Sequence, residues 1–328
     1  MTKTVLITGG AGYIGSHTAF YFSQKGYHPV ILDTLVHNQS FDHPWATLLQ
    51  YDFADQAVLQ DVFDQYKPAA VIHCAAEIAV GQSVTDPFQF YQTNVNKTID
   101  LLEAMCRHGI NNLIFSSSAA VYGNVQLGAI PEQHSREPVN PYGKTKLMIE
   151  MALQDFHKAY NLNFVCLRYF NVAGSLVDRN LHEQHKPETH VLPLLINAAF
   201  EQRPFSIFGS DYETDDGTCM RDFVHVWDVA HAHWCAFGHL QKDNPSDYFN
   251  IGSGVGTSVK QLIEITSQIA KKEIIKQSAK KRPGDPALLI ADATRAANIL
   301  KWKPQYSNLP FIIQTAVQSF KKQQEENN

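Results

Sequence analysis

Short apolar runs alternate with longer stretches of helical period through the first half of the chain. Val5-Leu6-Ile7 is aliphatic and β-branched and ends at Gly9-Gly10, the pattern of a buried parallel strand. Residues 14–25 carry a helical period, and Gly26 is a stop signal. Val30-Ile31-Leu32 gives the next strand, ending at Asp33, so the chain opens with a βαβ unit. Residues 70–73, 113–115 and 164–167 read as further strands, and 96–107 and 142–160 as helices. This alternation predicts an α/β fold: a Rossmann-type doubly wound parallel sheet with helices on both faces.

The texture changes after Asn171. Residues 175–190 are polar, rich in His and Glu, and without a period; helices follow at about 192–202 and 258–271, and 321–328 reads as a polar tail that frays. The expected division places residues 1–171 in the first domain, with about 223–251 returning to it. Residues 172–222 and 252–328 form a smaller α/β C-terminal substrate domain.

Composition narrows the function classes. The chain has 328 residues, enough to bury a large core without metal or disulfide staples. The net charge of −5 argues against general affinity for nucleic acid or anionic membranes. Five cysteines, none spaced C-x-x-C, suit a reduced cytoplasmic chain better than a disulfide framework. The N-terminus lacks the apolar core of a signal peptide, and no run is long and apolar enough to span a bilayer.

Chemistry concentrates at the predicted C-terminal ends of strands, where open parallel sheets bind ligands. Gly9, Gly12 and Gly15, with Tyr13 and Ile14 between them, sit in a strand–turn–helix context. Such glycines permit a tight turn, close approach of a pyrophosphate and close helix packing. The helix N-terminus adds N–H groups and partial positive charge for the pyrophosphate. Asp33 suits the two hydroxyls of an adenosine ribose and repels a 2′-phosphate, which favours NAD over NADP. Asp52 and Phe53 fit the adenine edge. Cys74, Ala75, Ala76 and Ser116 follow strands and face the same crevice, and Asn94 either ties a helix to the active-site strand or caps a helix. Tyr142 and Lys146 stand at i and i+4, after an Asn140-Pro141 helix start. A tyrosine of pKa about 10 is a poor base, and a shift to about 7 requires roughly 4 kcal/mol of differential interaction. A neighbouring lysine and a positive nicotinamide ring act in that direction. Ser118, ending a strand, is the candidate that orients a substrate hydroxyl or relays its proton.

At this point the chain resembles the UDP-glucose 4-epimerase family of extended short-chain dehydrogenase/reductases. The segments that carry the resemblance are TGGAGYIGSHT (8–18), VGQSVTDP (80–87), SSSAAVYG (116–123), PYGKTKLMIE (141–150), LRYFNVAG (167–174), DGTCMRDFVHVWDVA (216–230) and RPGDPALLIAD (282–292). The resemblance implies tightly bound NAD, a UDP-sugar substrate and a homodimer formed through a helix bundle on the first domain. It makes the first domain NAD-binding and the second nucleotide-sugar-binding. By resemblance Tyr169 joins the cofactor site, and Phe170, Asn171, His190 and Val191 face the sugar and diphosphate, together with the catalytic Ser118 and Tyr142. Arg221 and Arg282 would pair with phosphates and Asp285 with the uridine ribose.

Three positions depart from the family pattern. Ile78 stands where many members carry a lysine, and His190 where others carry asparagine. Leu289 stands where some carry a bulky tyrosine at the gate for 2-substituents. Three competing readings remain. UDP-N-acetylglucosamine and UDP-uronate 4-epimerases share these motifs. A 4,6-dehydratase wants an acidic pair where this chain has Ala119-Ala120. A redox-silent NAD-binding regulator has no need of the Tyr142–Lys146 pair. His182, His185 and His190 read as a polar loop rather than a metal site, so no metal is expected.

Overall fold

The first apolar run forms Thr4–Thr8 (β1), which turns through residues 9–12 into Tyr13–Gln24 (α1) and returns as His28–Leu32 (β2). The structure is a computed structural model that describes residues 3–36, 41–125, 128–183, 188–242, 244–282 and 286–326. The later strands are Thr47–Leu49 (β3), Val71–His73 (β4), Asn112–Ser118 (β5), Ala129–Ile130 (β6), Asn163–Tyr169 (β7) and Asn171–Ala173 (β8). They continue with Phe205–Phe208 (β9), Met220–His225 (β10), Asp247–Ile251 (β11), Gly256–Ser258 (β12), Lys276–Ala279 (β13) and Leu288–Ala291 (β14). The later helices are Gln56–Tyr66 (α2), Val80–Thr85 (α3), Pro87–Tyr91 (α4), Lys97–Arg107 (α5), Pro141–Tyr160 (α6), Val191–Glu201 (α7), Val226–Leu240 (α8), Val259–Ala270 (α9) and Leu309–Glu326 (α10).

Seven strands in the order β11-β7-β5-β4-β1-β2-β3 make one parallel sheet. Alternate residues of each strand point to opposite faces. Val5, Ile7, Ile31, Ile72 and Ile114 pack on one side against α1 and α8. Leu6, Val30, Leu32, Val71 and Phe115 pack on the other against α2, α5 and α6. Two covered faces explain why these strands read as continuous apolar runs. The order reverses at β1, whose neighbours are β2 and β4. That reversal opens a crevice beyond the C-terminal ends of β1 and β4, the usual ligand site of such sheets.

The second region has its own core, built from α7, α9 and α10 with Phe205, Ile207 and Phe223. The stretch from about 223 to 251 divides between the regions. β10 pairs with β8, β12 and β14 outside the large sheet, whereas α8 packs on α1 and β11 joins β7. The polar residues from 321 onward are helical as far as Glu326 rather than frayed. Buried Ile312, Ile313 and Val317 anchor α10, and Lys322 Nζ donates to the Val177 carbonyl at 3.3 Å. Among the described residues no helix is long and apolar enough to cross a membrane.

Candidate active site

The glycine turn is shaped by close backbone contacts. A Cβ on Gly15 would lie 2.2 Å from the Gly9 carbonyl oxygen, and one on Gly9, where φ is +66°, would lie 2.6 Å from Ala75 Cα. The turn is thereby pressed against the Ala75-Ala76 loop, and Gly12 becomes an α1 N-cap with no side chain over the helix end. The N–H groups of Tyr13 and Ile14, in the first turn of α1, have no carbonyl partner within the helix, as an anion site requires. Asp33 Oδ2 accepts from the Ala11 N–H at 3.0 Å and Oδ1 from the Leu35 N–H at 2.9 Å, which fixes its carboxylate beside the turn. Asp52 pairs with Lys97 at 2.5 Å, and the Phe53 ring lies 5.0 Å from that of His73. Asn94 is committed to the protein itself. Its Oδ1 accepts from the Glu77 N–H at 2.8 Å, and its Nδ2 donates to the Glu77 carbonyl and to Thr145 Oγ1 at 3.0 and 3.1 Å. Asn94 thus ties the loop after β4 to α6, and its Oδ1 keeps one lone pair for a further donor.

Tyr142 and Lys146 project from the first two turns of α6. The Asn140 side chain caps that helix by accepting from the Gly143 N–H at 2.8 Å, with Pro141 as its first residue. Lys146 Nζ donates to the Ser116 carbonyl at 2.8 Å and lies 5.8 Å from the centre of the Tyr142 ring. Burial brings the Lys146 ammonium down to about 8. Burial also raises the Tyr142 phenol, and the Ser118 hydroxyl beside it only partly offsets this. Desolvation of the phenolate outweighs that hydroxyl, so the lowering expected of Tyr142 rests on the lysine together with the cofactor charge. Ser118 Oγ also accepts from the Ala120 N–H at 3.1 Å, which holds it at the mouth of the crevice.

Behind these residues runs a buried chain of hydroxyls. His233 Nδ1 lies 2.9 Å from the Val229 carbonyl and so carries the proton, leaving Nε2 to accept from the Tyr169 hydroxyl at 2.6 Å. Tyr169 Oη and Ser116 Oγ are 3.1 Å apart, and Ser116 Oγ and Cys74 Sγ 3.2 Å.

The substrate-side residues are more dispersed. Asn171 Nδ2 donates to the Asp222 carbonyl at 3.1 Å, and Phe170 is buried among Ala119, Val121 and Tyr122. Arg221, on β10 opposite Leu289 of β14, donates to the Met220 carbonyl at 2.7 Å. Exposed Arg282 stacks 3.9 Å from the centre of the Phe208 ring. His190 is the N-cap of α7, with Val191 the first residue of that helix. Asp285 and His185 lie outside the described residues. His190 Nδ1 is 2.6 Å from Glu183 and 3.2 Å from Glu188. Burial opposes its proton, but hydrogen bonds to both glutamates overcome this and push His190 up to about 10. The same three side chains bring their ligand atoms within 4.8 Å of one another. The arrangement is complete as an imidazolium between two carboxylates.

Residues 5–252 match the model of the NAD dependent epimerase/dehydratase family. The chain belongs to that family. It is 44% identical over 315 residues to a UDP-glucose 4-epimerase of Rhizobium leguminosarum bv. trifolii, covering 96% of each chain. The solved UDP-glucose 4-epimerase of Brucella ovis, in complex with NAD, superposes with a TM-score of 0.92 at 41% identity, over 97% of this chain and 98% of that one. A UDP-glucose 4-epimerase from Bifidobacterium longum, in complex with NAD+ and UDP, gives 0.90 at 33% identity, over 98% of both.

Two features of this family member were not among the expected site residues, one without a sequence signal and one with. The glutamates around His190 lie on an aperiodic loop, and no spacing rule pairs them. Glu150, by contrast, was legible. It follows Tyr142 and Lys146 at the same interval of four and so belongs to their helix stripe.

Proposed function

We propose that the protein interconverts UDP-glucose and UDP-galactose with NAD held throughout the cycle. The observation that supports this reading is the meeting of Tyr142, Lys146 and Ser118 at the C-terminal end of β5, in the sheet whose β1 ends in the glycine turn. The residues fit the cofactor: side chains are excluded at Gly9 and Gly15, and the Asp33 carboxylate stands beside the turn, where an adenosine ribose belongs. When bound, NAD would supply the hydride acceptor for sugar C4 and a positive ring that favours the Tyr142 phenolate. Tyr142 accepts the proton of the sugar 4-hydroxyl, and Ser118 orients that hydroxyl. Lys146, anchored on the Ser116 carbonyl, keeps an ammonium beside the phenol and the cofactor ribose. Arg221 and Arg282 hold the diphosphate while the 4-keto sugar turns over. Tyr142→Phe lowers turnover by about 10² or more while UDP and NAD still bind. Near-normal turnover of UDP-galactose by that variant removes Tyr142 from the mechanism.

The same proposal includes a homodimer in a reducing cytoplasm. Val84 (63% exposed), Phe88 (76%), Met148 (44%) and Met151 (54%) lie on α3, α4 and α6, which pack together. Exposed apolar side chains gathered on helices that pack together are ordinarily covered by a partner. Phe88→Asp yields a monomer in sedimentation analysis if that face is the interface. All five cysteines are free.

A further inference from the structure

Tyr142, Lys146 and Glu150 form one stripe along α6, and each meets β5. Tyr142 faces Ser118, Lys146 reaches the Ser116 carbonyl at 2.8 Å, and Glu150 Oε1 accepts from Ser117 Oγ at 2.7 Å. The third contact touches neither the glycine turn nor the reacting groups. Glu150 is fully buried, and a buried carboxylate is strongly unfavourable unless it is paired and hydrogen-bonded. Arg168 of β7 supplies a two-pronged partner, Nε to Oε1 at 2.8 Å and Nη2 to Oε2 at 2.7 Å, and Arg136 Nη1 adds a contact at 3.3 Å. The Arg168 guanidinium is itself fixed. It lies between the rings of Tyr122 and Tyr248, 5.1 and 4.8 Å from their centres, and its Nη1 donates to the Tyr122 hydroxyl at 2.8 Å.

Stability alone is a poor account of this arrangement, because a well-packed apolar pair of similar volume often serves a core as well as or better than a buried ion pair. What an apolar pair lacks is direction. A bidentate guanidinium–carboxylate fork accepts one relative orientation of its two elements. Here those elements are the helix that carries Tyr142 and the strand beside the one that carries Ser118. Ser117, between Ser116 and Ser118, passes the constraint to β5.

We infer that Glu150, held by Arg168, is a positioning residue that sets the register of α6 against β5, and through it the placement of Tyr142 against Ser118. The inference rests on the epimerase reading above. A misplacement of about 1 Å at reacting groups lowers rates by about 10²-fold, so the register is a sensitive quantity.

The test uses the full-length protein with two variants, Ser117→Ala and the double variant Glu150→Leu with Arg168→Met. UDP-galactose turnover of the unaltered protein is measured first, and its absence refutes the epimerase reading independently of the variants. Melting temperature and NAD affinity by calorimetry are expected to stay close to those of the unaltered protein in both variants. Turnover is expected to fall about tenfold in Ser117→Ala and about 10²-fold in the double variant, with KM unchanged. The single-turnover rate of bound-NAD reduction should fall in step. A double variant that melts normally and keeps turnover within twofold overturns the inference. So does a turnover loss that is matched by a melting loss and recovers on cooling. If the double variant does not fold, Ser117→Ala decides: unchanged turnover overturns the inference, and a tenfold loss at constant KM and melting temperature sustains it.

Discussion

The two sides of the crevice are built on different plans. On the dinucleotide side the chemistry stands on regular elements: a turn pressed on its neighbours, a capped helix, and strand ends fixed by a sheet covered on both faces. On the side proposed to take the nucleotide sugar, Arg221, Arg282 and His190 sit on three separate segments, and each has a partner within the protein. Under the proposed function the reacting groups are preset, whereas the two arginines reach a diphosphate only by leaving their present partners. Such a division suits a reaction whose sugar must turn over while its anchor stays put.

The rigid side breaks most readily at its turn. Gly15→Ala puts a methyl 2.2 Å from a backbone oxygen, a clash that only movement of the turn relieves. NAD affinity is expected to fall by 10² or more, about 2.7 kcal/mol at least, and the purified variant should carry no NAD. Gly238→Ala is the control. A Cβ there meets nothing within 4 Å, and α8 gains stability of up to about 1 kcal/mol. Calorimetry on the two variants separates loss of the turn from loss of glycine as such.

Acid strikes both regions. His17 and His73 are held down at about 3, and His225 and His233 at about 4, each chiefly by burial. Their folded values lie below the unfolded value of about 6.5, so the unfolded chain binds more protons. The stability they contribute is complete above that pH and is lost as pH falls toward 4, at about 1.4 kcal/mol per pH unit for each histidine. The urea midpoint should drop clearly between pH 7 and pH 5. An unchanged midpoint means that these imidazoles are protonated in the folded protein. His190 cannot offset the loss, since its raised value places its own window between about 6.5 and 10.

What could be read from sequence follows the same divide. Gly9, Gly12, Gly15, Asp33 and the Asn140-Pro141 start of α6 are local patterns, and local patterns fix local geometry. The upward shift of Tyr142 depends on burial by segments far away in sequence, so the Y-x-x-x-K spacing did not disclose it. The commitment of Asn94 to Glu77 and Thr145, and the pairing of β10 with β8, β12 and β14, are likewise long-range facts. Arg282 was visible as a cation, but its stack on Phe208 joins residues 74 positions apart.

That stack sharpens the contrast. If Arg282 is recruited to the diphosphate rather than preset there, Arg282→Ala raises KM for a UDP-sugar about tenfold, the equivalent of about 1.4 kcal/mol, and leaves turnover within twofold. Steady-state kinetics decide it. A fall in turnover at constant KM would make Arg282 part of the preset machinery and erase the distinction between the two sides.

The smallest effect probes His190, the proposed diphosphate contact whose charge depends on its neighbours. An ordinary imidazole loses its charge near pH 6.5, and a diphosphate contact that depended on it would weaken across neutrality. Glu183 and Glu188 instead hold the His190 proton to about 10. The cation therefore persists through the neutral range, and KM for the UDP-sugar should stay flat from pH 6 to pH 9. His190→Gln removes the charge and leaves the two carboxylates near the arriving phosphates. KM should then rise about threefold to tenfold, the scale of one partly exposed charge contact, and the rise should shrink with added salt. A KM in the unaltered protein that climbs between pH 6 and pH 8 would mean that the glutamates do not hold that proton.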